Sequence, residues 1–184
     1  MKLFIASDIH GDFDAASRLV AAYRESGAER LVLLGDILYH GPRNDLPAGY
    51  APKRVIELLN GIKDEILCVR GNCEAEVDQM VLEFPIMAEY AILSVGKKMI
   101  FATHGHRFNT KNPPPLHQGD ILLHGHTHVL VCEQQEGYVY CNPGSVTFPK
   151  DGHRGYMILE GDILLWKTLD GEEILRLSLA ESEQ

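Results

Sequence analysis

Seven side chains of the kind that bind metal ions sit just past the ends of five hydrophobic runs in this chain. The runs are Leu3 to Ala6, Leu31 to Leu34, Ile66 to Val69, Ile100 to Ala102 and Ile121 to Leu123. They lead into Ser7-Asp8-Ile9-His10, Gly35-Asp36, Gly71-Asn72, His104-Gly105-His106 and Gly125-His126-Thr127-His128. A strand, a sharp turn and then Asp, Asn or His is how a sheet presents ligands along one edge. Glycine serves there because the backbone must turn without a Cβ clash. A single ending of this kind is only a turn or a helix cap. Five alike constrain the chain to a fold whose strand ends converge. Within Gly125 to His128, alternate residues face the same way, so His126 and His128 can share a site.

The remaining pattern says which elements join those strands. Phe13, Ala16, Leu19, Val20 and Tyr23 recur at helical spacing over 12–26, with Asp12 as cap and Gly27 as stop. Pro52 to Asn60 reads as a second helix with Val55, Leu58 and Leu59 inward. Ala75 to Glu83 reads as a short third helix with Val77, Met80 and Val81 as its apolar residues. Strand–helix alternation implies parallel pairing through right-handed crossovers. The second half changes to hairpins, 91–95 with 99–103 and 129–133 with 138–141, and then to a terminal meander over 156–177. The expectation is two packed sheets in one domain over 1–184, the first begun by βαβ units and the second finished by hairpins. Two long loops, 39–51 and 105–119, follow ligand positions and are candidate substrate walls.

Charge and composition narrow the function. A formal net charge of −9 argues against a general nucleic-acid surface, which needs a basic face. It leaves room for a phosphorylated small molecule, because bound divalent cations reverse the local field. The longest apolar runs fall short of a membrane span, and the chain starts directly on a strand with no signal-type stretch. Cys68, Cys73, Cys132 and Cys141 form no C-x-x-C pair and read as reduced thiols of a cytoplasmic protein.

Asp, Asn and His together favour hard-to-borderline divalent ions, and seven donors exceed what one structural zinc needs. They suit two ions, which can lower the pKa of a shared water and clamp both the attacking and leaving oxygens of a phosphate ester.

The order D-x-H, G-D, G-N, H, G-H-x-H resembles the signature of the calcineurin-like metallophosphoesterases, and the resemblance runs along the whole chain. Asn142-Pro143-Gly144-Ser145, Asn44-Asp45-Leu46-Pro47 and Glu76-Val77-Asp78-Gln79-Met80 extend it toward the compact bacterial phosphodiesterases of that family. The resemblance implies a four-layer α/β/β/α sandwich of two mixed sheets. It implies that Asp8, His10 and His128 hold one metal, that Asn72, His104 and His126 hold the other, and that Asp36 bridges them. The implied cofactors are two divalent ions, Mn2+ first among them, and the implied reaction is attack of a metal-bridging hydroxide on a phosphodiester. A homo-oligomer is compatible with this, since small enzymes often form two-fold dimers.

One position departs from the family pattern. Many relatives carry a histidine after Gly-Asn that helps protonate the leaving group, and here Cys73 stands there. A thiol is a weak acid for that task, so poor hydrolysis of unactivated monoesters is expected. Arg43 and His106 are candidate substrate contacts. The competing reading is a catalytically weak protein-binding scaffold of the same fold. In such a scaffold the Gly-Asn position is altered, whereas all seven ligand positions are filled here.

Overall fold

The computed structural model describes residues 1–180. Its first strand, β1 (Lys2–Ala6), shows why the chain forms layers. Phe4 and Ala6 pack with the helices, whereas Leu3 and Ile5 pack toward the second sheet. Both faces are apolar because both are covered, as for a central strand of a parallel sheet. The next strands, β2 (Arg30–Leu33) and β3 (Ile66–Cys68), continue in parallel on one side of β1.

Helix α1 (Phe13–Ser26) starts where Asp12 Oδ1 accepts the backbone N–H groups of Asp14 and Ala15, both at 3.1 Å. It stops at Gly27, whose φ of 66° suits a residue without Cβ. Helix α2 (Pro52–Asn60) opens on proline, whose missing N–H costs nothing there, and buries Val55 and Leu59.

The third helix is shorter than its sequence suggests. Helix α3 spans only Glu76–Gln79, and Val77 and Met80 are exposed at 62% and 83%. Beyond it burial alternates, with Leu82, Phe84 and Ile86 inward, which is the period of an extended chain. The Gln79 side chain enforces this course: its amide donates to the Leu82 and Phe84 carbonyls and its oxygen accepts from Ile86 N–H.

The second sheet contains β4 (Tyr90–Val95), β5 (Lys98–Thr103), β6 (Asp120–His124), β7 (Leu130–Gln134) and β8 (Tyr138–Pro143), in the order β4-β5-β6-β8-β7. The terminal meander, β9 (Gly155–Glu160), β10 (Ile163–Thr168) and β11 (Glu173–Ser178), does not finish this sheet as the chain order suggests. It returns to the first, where β9 pairs antiparallel with β1 and gives the order β11-β10-β9-β1-β2-β3. Sequence neighbours carry no information about such a return.

The two mixed sheets meet over Leu3, Ile5, Val32, Leu123, Met157 and Trp166. On the outer face of the second sheet, Phe108 and Leu116 from the irregular chain after β5 cover Phe101, Leu122 and Tyr140. No described helix is long and apolar enough to cross a membrane.

Candidate metal centre

The turns after β1, β2, β3, β5 and β6 meet where the two sheets end side by side. Backbone bonds splice the first two together: Asp8 N–H to the Gly35 carbonyl at 3.1 Å, His10 N–H to that of Asp36 at 2.9 Å, and Gly11 N–H to that of Ile37 at 2.8 Å. The approach of the turns is too close for side chains at two glycines. A Cβ on Gly71 would fall on the Asp36 carboxylate, and one on Gly125 would lie 2.7 Å from Asp8 Oδ2.

Five of the seven expected donors have left-handed backbone: Asp8, His10, Asp36, His126 and His128, with φ between 51° and 65°. Among the described residues no other non-glycine does. Such conformations persist only where the surroundings over-determine them, and they gather at functional sites.

The imidazoles are oriented from behind. His10 Nδ1 donates to the Tyr39 carbonyl at 2.8 Å, His104 Nδ1 to that of Leu34 at 2.7 Å, and His128 Nδ1 to that of Phe148 at 2.9 Å. This fixes the tautomer that leaves each Nε2 lone pair free, the usual arrangement behind a metal-ligating histidine. Those lone pairs face other acceptors. His10 Nε2 is 3.3 Å from His128 Nε2, and His104 Nε2 is 3.0 Å from Asn72 Oδ1 and 3.2 Å from His126 Nδ1. Asp8 Oδ1 is buried between His10 and His128 without a well-formed hydrogen bond. Electron-pair donors aimed at one another around an orphaned carboxylate oxygen are what a cation would satisfy, so the residues present fit divalent metal ions.

Two clusters bring their donor atoms within 4.8 Å of one another, Asp8–His10–His128 and Asp36–His104–His126. Asp36 Oδ2 stands between them, 3.8 Å from His10 Nε2 and 3.5 Å from His104 Nε2. The seven expected donors are therefore brought together, with Asn72 the most exposed of them.

Electrostatics obey the same geometry. Burial pushes the Asp8 carboxyl up, but the His10 and His128 imidazoles beside it and the charge of His104 hold it well below its ordinary value. Burial likewise opposes ionisation of Asp36, and His104 outweighs it. Burial depresses His104, yet its bond to Asp36 and the charges of Asp8 and Asp36 raise it to about 9.

A third cluster joins His10, Asp36 and the sulfur of Cys73. Cys73 N–H donates to Asp36 Oδ1 at 2.9 Å. Burial, and then the charge of Asp36, push this thiol far above its ordinary value. Of the two candidate substrate contacts, Arg43 lines the cavity of about 250 Å³ in front of the donors and His106 does not. His106 lies beside His104, its ring tilted by 55° and 5.5 Å away, and burial with the neighbouring imidazoles lowers it to about 4.

Two residues of the site carry no expectation from the sequence. Glu74, 5% exposed, accepts from Asp36 N–H at 2.9 Å, from Ile37 N–H at 2.7 Å and from Gly71 N–H, locking two ligand turns together. Its place directly after Gly-Asn-Cys was the available signal. Lys150 lines the cavity, and nothing in the local sequence marks it. Asn142 braces the last ligand turn by donating to the Gly125 carbonyl and to Thr127 Oγ1, both at 2.9 Å.

A double sheet whose converging strand ends carry Asp, Asn and His defines a class, and sequence comparison agrees with it. The chain belongs to the calcineurin-like phosphoesterase superfamily, whose domain pattern matches residues 1–162. It is 48% identical to phosphodiesterase YfcE of Escherichia coli strain K12 over 176 residues, which is 95% of this chain and 96% of that one. The solved structure of the E. coli phosphoesterase Yfce superposes with a TM-score of 0.94 at 47% identity, over 98% of this chain and all of the other. Vacuolar protein sorting 29 of Cryptosporidium parvum shares the fold, with a TM-score of 0.62 at 19% identity, over 96% of this chain and 97% of that one.

Proposed function

We propose that the chain is a divalent-metal-dependent phosphodiesterase acting on a small-molecule substrate, weak on unactivated monoesters, with residues 1–184 working as one cytoplasmic domain. The observation that carries the reading is the set of imidazoles pinned through Nδ1 so that their free nitrogens converge on Asp8 and Asp36. Asp8, His10 and His128 would hold one ion and Asn72, His104 and His126 the other, with Asp36 shared; Mn2+ is the first candidate. When bound, such a pair of ions lowers the pKa of water and offsets charge on phosphoryl oxygens.

The chain's own residues set the range of esters. Asn72, being neutral, can lie against a phosphate oxygen without repelling it. Cys73 lies on the cavity wall where a leaving group would depart, and its raised pKa makes it a poor proton donor to an alkoxide. Esters whose leaving groups are stable as anions need no such proton, which favours aryl phosphodiesters.

The test is hydrolysis of bis(p-nitrophenyl) phosphate beside p-nitrophenyl phosphate after chelator stripping and addition of Mn2+, Zn2+, Mg2+ or nothing. Metal-restored turnover that is higher on the diester is expected. A folded protein without turnover on any metal would turn the reading toward the protein-binding scaffold.

A further inference from the structure

We propose that Arg43 and Lys150 form a subsite for a second phosphate, carried on the substrate away from the bond that breaks. The inference rests on the phosphodiesterase reading above and names the substrate class for that site. The scissile phosphate of a diester carries a single negative charge and would be met by metal ions among the buried donors. Two side-chain cations at the mouth of the same cavity are surplus to that need.

Both cations are held in place by their backbones and left free at their tips. The Phe148 carbonyl accepts from His128 Nδ1, and Lys150 N–H donates to the His128 carbonyl at 2.8 Å, so the segment bearing Lys150 is clamped to a candidate ligand. Arg43 rides a turn closed by Asn44, whose N–H donates to the Gly41 carbonyl and whose Nδ2 donates to that of His40 at 2.8 Å.

Elsewhere on the surface the basic side chains Arg18, Lys63, Arg107 and Arg176 meet carboxylates. Arg43 and Lys150 meet none among the described residues. The carboxylate next to Lys150 is occupied, since Asp151 accepts from the N–H groups of Leu130 and His153. Asp45, close to Arg43 in sequence, does not line the cavity, and Asp36 is the one carboxylate among the residues that do. In a protein of net charge −9, two unpaired cations lining one cavity draw an anion to it. A guanidinium and an ammonium together suit a phosphate, the first through its planar fork and the second as a point charge.

The experiment compares two esters with the same leaving group and the same scissile diester: the p-nitrophenyl ester of thymidine 5′-phosphate, with and without a 3′-phosphate. Mn2+-loaded protein should favour the 3′-phosphorylated ester by about tenfold in kcat/KM, mostly through KM, as exposed charge-assisted contacts allow. Lys150→Glu should invert the preference, and Arg43→Ala with Lys150→Ala should bring it near unity. Calorimetry gives a readout without turnover: thymidine 3′,5′-bisphosphate should bind more tightly than thymidine 5′-phosphate, and the double variant should lose the difference. Equal rates and affinities for both members of each pair, or a preference that survives the double variant, overturn the subsite alone. No hydrolysis of either ester overturns the phosphodiesterase reading, and the subsite with it.

Discussion

The ligand turns and the cavity rim are neighbours, but they are built on opposite principles. Asp8, His10, Asp36 and His104 are at most 2% exposed, and Glu74, Asn142 and Ser145 bond the backbone of the ligand turns at Asp36, Gly125 and Asp8. Arg43 and Lys150 stand exposed at the rim, with no partners for their charged ends among the described residues. Geometry good to a few tenths of an ångström needs the first kind of construction, because a donor that can relax no longer converges. Selection among substrates suits the second, because solvated cations pair with an arriving anion at little desolvation cost. Changes in the turns should therefore remove the chemistry or the fold, and changes at the rim should redistribute substrates.

The sharpest break should come at Asp36. Asp36→Asn keeps an oxygen for Cys73 N–H but loses the charge shared between the two clusters. Hydrolysis of bis(p-nitrophenyl) phosphate should fall about 10³-fold or more, corresponding to about 4 kcal/mol, with an unchanged circular dichroism spectrum. A variant retaining a tenth of the activity would remove Asp36 from the centre of the mechanism.

Glu74 tests whether the turns owe their shape to one buried carboxylate. Glu74→Ala strands three backbone N–H groups and should cost about 3 kcal/mol in urea unfolding, with weaker metal uptake. Arg43→Ala at the rim should change stability by no more than about 0.5 kcal/mol. Equal costs at the two positions would erase the contrast between the regions.

The same contrast governs what the sequence reveals. The donors were legible because each sits at the end of an apolar run, and strand ends with glycine have few uses. Their left-handed backbone was not legible, since Asp and His adopt it only when packing imposes it. The return of β9 to β1 and the extended course after Gln79 depend on long-range pairing and on one side chain's bonds, which periodicity does not encode. Lys150 was invisible because it enters the cavity through the His128 carbonyl, a contact between residues far apart in the chain.

A smaller effect separates the metal-free from the loaded state. His104 is raised to about 9 by Asp36 and Asp8 against the opposing effect of burial. A histidine raised in the folded state contributes stability that is complete below its unfolded value, near 6.5, and is lost as pH climbs through 9. Chelator-treated protein should lose about 3 kcal/mol between pH 6.5 and 9.5, measured as a falling melting temperature. Mn2+-loaded protein should lack that fall, because a ligating imidazole has already released its proton. His104→Gln should lack it too; a slope that persists in this variant would assign it to other groups.

The smallest change tests the boundary between the two regions, where Cys73 belongs to both. Its N–H bonds to the buried Asp36 while its sulfur faces the cavity. With burial and Asp36 raising the thiol, Cys73 is a weak proton donor to a departing alkoxide, so reactions with poor leaving groups should be limited there. Cys73→His should raise hydrolysis of an alkyl monoester such as glycerol phosphate by about tenfold, equivalent to about 1.4 kcal/mol. The gain on bis(p-nitrophenyl) phosphate should be small, because p-nitrophenolate leaves without help. The ratio of the two gains is the measurement that matters. Equal gains on both substrates would mean that the histidine acts on binding or on metal affinity, and would end the proton-donor account of this position. A gain confined to the alkyl ester would show that one side chain at the edge of a rigid centre sets the range of leaving groups, with the buried turns left as they are.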